Sequence, residues 1–115
     1  MDVFYALAEP RRREIVEMLA RRGSMSATDI SSRFQISPPA VSQHLKVLRE
    51  AKLVHVEKRA QQRIYAINPE AMLEVEGWAG RMIREWNERF DALDKLLQSE
   101  RRKPKWQKLR NKKKR

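Results

Sequence analysis

Ser37-Pro38-Pro39 heads the stretch of this chain that is richest in groups able to recognise another molecule: Ser42, Gln43, Lys46 and Arg49, interleaved with Val41, Leu45 and Leu48. A hydroxyl followed by two prolines is a helix start, because the serine oxygen can accept from the first-turn backbone and prolines there have no hydrogen bond to break. The spacing predicts a helix over 38–51. Turned at about 100° per residue, Val41, Leu45 and Leu48 gather on one side. Pro39, Gln43 and Lys46 centre on the other, with Ser42 and Arg49 on its flank and Glu50 as the only acid. A helix offered to the DNA major groove needs this division, one side anchored and the other carrying short polar groups. Glutamine can pair bidentately with adenine, serine can serve either base, and Lys46 and Arg49 can reach guanine or phosphate. An ordinary solvated face is the plain alternative, so the neighbouring elements have to decide.

Other chemistry is scarce. There are no cysteines, which removes disulfides, thiolate nucleophiles and sulfur-held metals together. Of the two histidines, His44 flanks the apolar side of its helix and His55 shares a strand face with Leu53 and Glu57, so both read as structural. No Ser-His-Asp set and no glycine-rich phosphate loop is present, so no enzyme, cofactor or metal site is expected.

Charge narrows the partner. The formal net charge is +11, yet residues 101–115 hold 10 Lys/Arg and no acid, leaving +1 for the rest. Within that rest, residues 1–29 balance, residues 30–68 carry +5 and residues 69–100 carry −4. The cationic bias therefore falls on the segment with the polar helix, as a surface facing phosphates requires.

The elements around that helix follow from local signals. Pro10 opens a helix over 10–22, with Ile15, Val16 and Leu19 inward, Arg21 and Arg22 at its end and Gly23 as its stop. Ser26-Ala27-Thr28-Asp29 resembles a capping box and opens a short helix burying Ala27, Ile30 and Phe34. Two short helices across a tight turn make a helix-turn-helix. Past Lys52 the period changes to two: residues 53–58 and 63–67 read as a β-hairpin whose loop, 58–63, carries three cations and two glutamines. A hairpin so placed is a wing beside the recognition helix. Asn68-Pro69-Glu70 then starts a helix running to about residue 99, some 45 Å long at 1.5 Å per residue.

Three segments together resemble the ArsR family of winged-helix repressors: residues 4–16, FYALAEPRRREIV; residues 40–51, AVSQHLKVLREA; and Arg63-Ile64-Tyr65. The resemblance covers residues 2 to about 98. It implies DNA contacts at Pro38, Pro39, Ser42 and Gln43, wing contacts near 59–63, repression of transcription, and a small-molecule effector or simple autoregulation. With the polar side of the helix, the candidate DNA-binding set is Ser37, Pro38, Pro39, Ser42, Gln43, Lys46, Arg49, Arg59, Gln61, Gln62 and Arg63. Two departures concern glycine, which the family commonly has after the recognition helix, where Lys52 stands, and in the wing, where Ala60-Gln61-Gln62 stands. Metal-sensing members use cysteine pairs before the recognition helix or His and Asp clusters on the last helix. This chain has Asp29-Ile30-Ser31-Ser32-Arg33 at the first place and no histidine after His55.

The long helix carries an apolar seam, Met72, Val75, Ala79, Met82, Trp86, Phe90, Leu93 and Leu97, at steps of 3 or 4, widened by Ile83 and Leu96. So small a domain cannot cover it, and a second copy can, with Phe4 and Leu7 joining the interface. The expected architecture is mainly α with a small β-hairpin: a winged helix-turn-helix over 1–99 with a long C-terminal dimerisation helix, then a basic tail over 100–115 expected to be disordered. The expected function is a homodimeric, sequence-specific transcriptional regulator on a palindromic DNA operator. The competing reading is a nonspecific architectural protein on DNA or RNA, driven by the tail. No apolar run approaches the ~18 residues of a membrane span, and the N-terminus lacks a leader's basic-then-apolar layout, so a cytoplasmic protein is expected.

Overall fold

In the computed structural model residues 2–99 are described, and the chain divides into two compact units, 1–75 and 76–115, meeting inside its last helix. The expected boundary at 99/100 and the basic tail lie outside the described residues.

The first unit runs α1 (Val3–Leu7), α2 (Pro10–Arg22), β1 (Ser24–Ser26), α3 (Ala27–Ser31), α4 (Pro38–Glu50), β2 (Val54–Arg59), β3 (Gln62–Ile67) and the opening turns of α5 (Pro69–Gln98). The helix starts follow the capping logic of the sequence. Glu9 accepts from the Arg12 N–H at 3.1 Å ahead of Pro10, Ser26 Oγ from the Asp29 N–H at 3.0 Å, and Ser37 Oγ from the Ala40 N–H at 3.3 Å. Each satisfies a donor that the first turn of a helix leaves without a partner. Gly23, at φ 89, ends α2 in the left-handed region.

α4 ends in a Schellman motif: the Lys52 N–H donates to the Arg49 carbonyl and the Leu53 N–H to the Leu48 carbonyl, both at 3.0 Å, with Lys52 itself at φ 62. Leu48 and Leu53, the apolar pair that accompanies such a cap, are both fully buried. They join Ile15, Leu19, Ile30 and Val41 at the centre of the core, where full burial of an aliphatic side chain contributes about 1.5–3 kcal/mol.

The hairpin is part of a three-stranded antiparallel sheet of order β1-β3-β2. β1 pairs Ser24–Ser26 with 64–66 of β3; three residues are too few to show an alternation, and the sequence reading passed over it. On the hairpin, Val54 pairs with Ile67, Val56 with Tyr65 and Lys58 with Arg63. Strand side chains alternate, so these residues share one face, apolar for two pairs and cationic at the third. The turn is two residues, Ala60-Gln61, with Ala60 at φ 54.

In the second unit, the described part of α5 presents Met82, Ile83, Trp86, Leu93 and Leu96 as exposed apolar residues. The Trp86 and Phe90 rings meet edge to face, with centroids 4.4 Å apart. No helix among the described residues is long and apolar enough to cross a membrane.

Candidate nucleic-acid interface

α4 is held by one side and open on the other. Val41, Leu45 and Leu48 are at most 3% exposed, while Ser37, Pro38, Pro39, Ser42, Gln43, Lys46 and Arg49 are all exposed. Arg59, Gln61, Gln62 and Arg63 are exposed on the wing. The candidate residues of α4 are thus exposed, and Arg63 lines the same cleft as Lys46 and Arg49.

The charges there are mostly uncompensated. Among the described residues Lys46, Arg49 and Arg63 form no ion pair, whereas Arg59 pairs with Glu57 at 3.2 Å. Arg59 is therefore the wing cation that an acid of its own strand already engages. Lys58, opposite Arg63 on the hairpin, belongs to the same cationic edge, although the candidate set omitted it. Its membership could have been read from the alternation Val54, Val56, Lys58.

A second cluster positions α4. Arg12 of α2 donates through Nε to the Ala6 carbonyl at 2.6 Å and through Nη2 to the Tyr5 carbonyl at 3.3 Å, and its guanidinium lies 5.5 Å from the Tyr5 ring centre. Its Nη1 is 3.4 Å from His44 Nδ1 on α4, and Glu9 Oε2 is 3.8 Å from the same nitrogen. Burial pushes the Glu9 carboxyl up, but the Arg12 N–H and the His44 ring, joined by the Arg11 N–H and the Arg12 guanidinium, pull it below its ordinary value. From the sequence alone, Pro10 marks only a helix start and His44 only a structural ring. Their meeting depends on how α2 crosses α4, which neither segment states alone.

Of the seam residues, Leu7, Met72 and Val75 are half-buried against the core of the first unit. Phe4, Met82, Trp86 and Leu93 are exposed, and Ala79, Phe90 and Leu97 are half-buried.

The family model described as bacterial regulatory protein, arsR family, matches residues 9–56, from the cap of α2 into β2. The HTH-type transcriptional regulator Rv2034 of Mycobacterium tuberculosis is 35% identical over 95 residues, which cover 83% of this chain and 85% of that protein. This chain belongs to the arsR family. As an arsR-family protein it is a DNA-binding transcription regulator and not an enzyme. The transcriptional repressor SdpR of Bacillus subtilis is 34% identical over 77 residues, 67% of this chain and 84% of that one. The solved ArsR-like transcriptional regulator from Rhodococcus sp. RHA1 superposes with a TM-score of 0.71 at 28% identity, covering 82% of this chain and 88% of that one. The winged helix-turn-helix arrangement, mainly helical with a small sheet and a long C-terminal helix, is therefore that of arsR regulators.

Proposed function

We infer that this arsR-family protein is a cytoplasmic repressor that binds a palindromic operator as a homodimer and keeps polymerase from the promoter. The observation that carries the reading is α4 itself, whose apolar side is sealed into the core while Ser42, Gln43, Lys46 and Arg49 stand exposed. Gln43 and Ser42 take the base edges together with Ser37, Pro38 and Pro39 at the start of the helix. Lys46, Arg49 and the wing residues Arg59, Gln61, Gln62 and Arg63 take phosphates or the adjacent groove.

The second copy is supported by the exposed apolar side of α5, where Met82, Ile83, Trp86 and Leu93 would otherwise meet water. Two recognition helices related by a two-fold axis read half-sites about one turn of DNA, ~34 Å, apart. Repression agrees with SdpR of Bacillus subtilis, a transcriptional repressor. Since the chain has no cysteine, a thiolate-held ion is not its signal, and an effector would be a small molecule of another kind.

The 10 Lys/Arg of residues 101–115 favour one competing reading, a nonspecific architectural protein on DNA or RNA. Selection of bound genomic fragments followed by footprinting separates the two. A short protected palindrome at physiological salt supports the repressor, and uniform coverage with a steep salt slope, about 0.9 per neutralised phosphate, supports the alternative.

A further inference from the structure

The inner face of the hairpin changes character along its length. Val56 and Tyr65 close the core, and one pair further out Lys58 stands directly opposite Arg63. Like charges opposed across a strand pair destabilise it unless an anion lies between or beside them. On α4, Lys46 and Arg49 line the same cleft as Arg63, and Ser42 and Leu45 line it too. No described carboxylate pairs with these three cations.

A second observation is independent of charge. Tyr65 is only 5% exposed and lines this cleft, yet among the described residues nothing donates to its hydroxyl or accepts from it. The oxygen is not sealed off from solvent. A nearly buried phenol without a protein partner, in a cleft also lined by a serine and three cations, suits a tetrahedral oxyanion, which accepts from hydroxyls and cations alike.

We propose that the cleft between α4 and β3 is a seat for one phosphate group, held by Lys46, Arg49 and Arg63 and by the hydroxyls of Tyr65 and Ser42. The same chemistry has two sources, a backbone phosphodiester of bound DNA and a free phosphate ester. The first rests on the DNA-facing reading of α4, and the second does not. If both use the seat, a free phosphate ester competes with DNA for it, which makes the seat a point of regulation on the DNA surface.

The test uses the full chain, so that residues 101–115 contribute equally to every variant. Sodium pyrophosphate is titrated calorimetrically into the wild type, the double variant Arg49→Gln/Arg63→Gln, and Tyr65→Phe, which keeps the buried ring. Circular dichroism confirms that each is folded. In parallel, single methylphosphonates are placed along the duplex recovered by fragment selection. The expected result is a saturable site weakened about tenfold in the double variant and several-fold in Tyr65→Phe. In the second arm, one backbone position per half-site, when neutralised, weakens the wild type about tenfold and the double variant less than twofold. The pyrophosphate result alone identifies a free oxyanion site, and the methylphosphonate result alone identifies a backbone seat. Identical behaviour of wild type and variants in both arms overturns the proposal, even where a footprint persists and the DNA reading stands. If no duplex is selected, the pyrophosphate arm decides by itself.

Discussion

The side-chain amide of Asn68 donates to the carbonyl oxygen of Lys52 over 2.8 Å and so ties the end of α4 to the start of α5. The same residue donates its backbone N–H to the Leu53 carbonyl at 2.9 Å and accepts the Glu70 N–H on Oδ1 at 3.3 Å. With Asn68 only 9% exposed, truncation would leave the Lys52 carbonyl short of a partner and the first turn of α5 uncapped. Asn68→Ala is expected to cost about 1–3 kcal/mol, read as a lower urea midpoint at unchanged slope. Asn68→Asp keeps the acceptor and loses the donor, and should fall between the two. An unchanged midpoint in Asn68→Ala would show that water replaces the amide without loss.

Among the described residues, two other than glycine hold left-handed backbone, Lys52 at φ 62 and Ala60 at φ 54. Both sit where the chain must reverse, at the Schellman cap of α4 and at the first position of the wing turn. A Cβ there is a local penalty that tertiary structure overrides. Lys52→Gly and Ala60→Gly should each stabilise the protein by about 0.5–1 kcal/mol, seen as a rise of a few degrees in Tm. A fall at either site would mean that the wild-type side chain makes contacts worth more than the strain.

These positions also mark how far the sequence could be read. The caps at Ser26 and Ser37, the proline starts and the apolar side of α4 are local signals, and each is found where its spacing puts it. The wing was legible as two β-rich runs, but its two-residue turn was not, because Ala60-Gln61 lacks the glycine that announces one. β1 escaped because its partner, β3, lies some forty residues away in the chain. The meeting of Glu9, Arg12 and His44 escaped for the same reason: crossing helices bring together residues that no periodicity links. The candidate residues of α4 are exposed as the amphipathic pattern requires, and among the described residues its buried positions are the apolar Val41, Leu45 and Leu48.

Glu9 gives the acid side of the stability curve a definite sign. Its folded pKa lies below the ordinary value, so as pH falls the unfolded chain takes up the proton first. The stabilisation is present above the ordinary carboxylate range, about 4.3, and is lost as pH falls through the lower folded value. Glu9→Gln should therefore flatten the decline in stability as pH falls through and below the ordinary carboxylate range. A carbon-detected NMR titration of Glu9 should also move upward in His44→Ala, where one source of the lowering is gone. An identical titration in the two proteins would remove His44 from the cause.

The exposed seam of α5 is where the proposed dimer can be tested. Ile83 is 60% and Trp86 57% exposed, and a charge at either position opposes burial against a second copy. Ile83→Lys/Trp86→Lys should sediment as a monomer and bind the selected palindrome far more weakly, while its half-site affinity persists. A double variant that remains dimeric would place the interface elsewhere on the chain.

Gln43 separates reading from mere binding. It stands exposed on α4, opposite the buried Val41, Leu45 and Leu48, where a glutamine amide can donate to and accept from one adenine edge. Gln43→Ala removes that pair without touching charge, so the salt dependence should stay as it is. The expected loss is about 1–3 kcal/mol on the selected operator, with base preference relaxed at a single position of each half-site. Lys46→Ala should instead weaken all sequences by a similar factor and lower the salt slope by about one. The comparison is made by fluorescence anisotropy on the operator and on a scrambled duplex at two salt concentrations. If Gln43→Ala lost affinity equally on both duplexes, its amide would be a backbone contact, and recognition would have to come from Ser42 and the start of the helix.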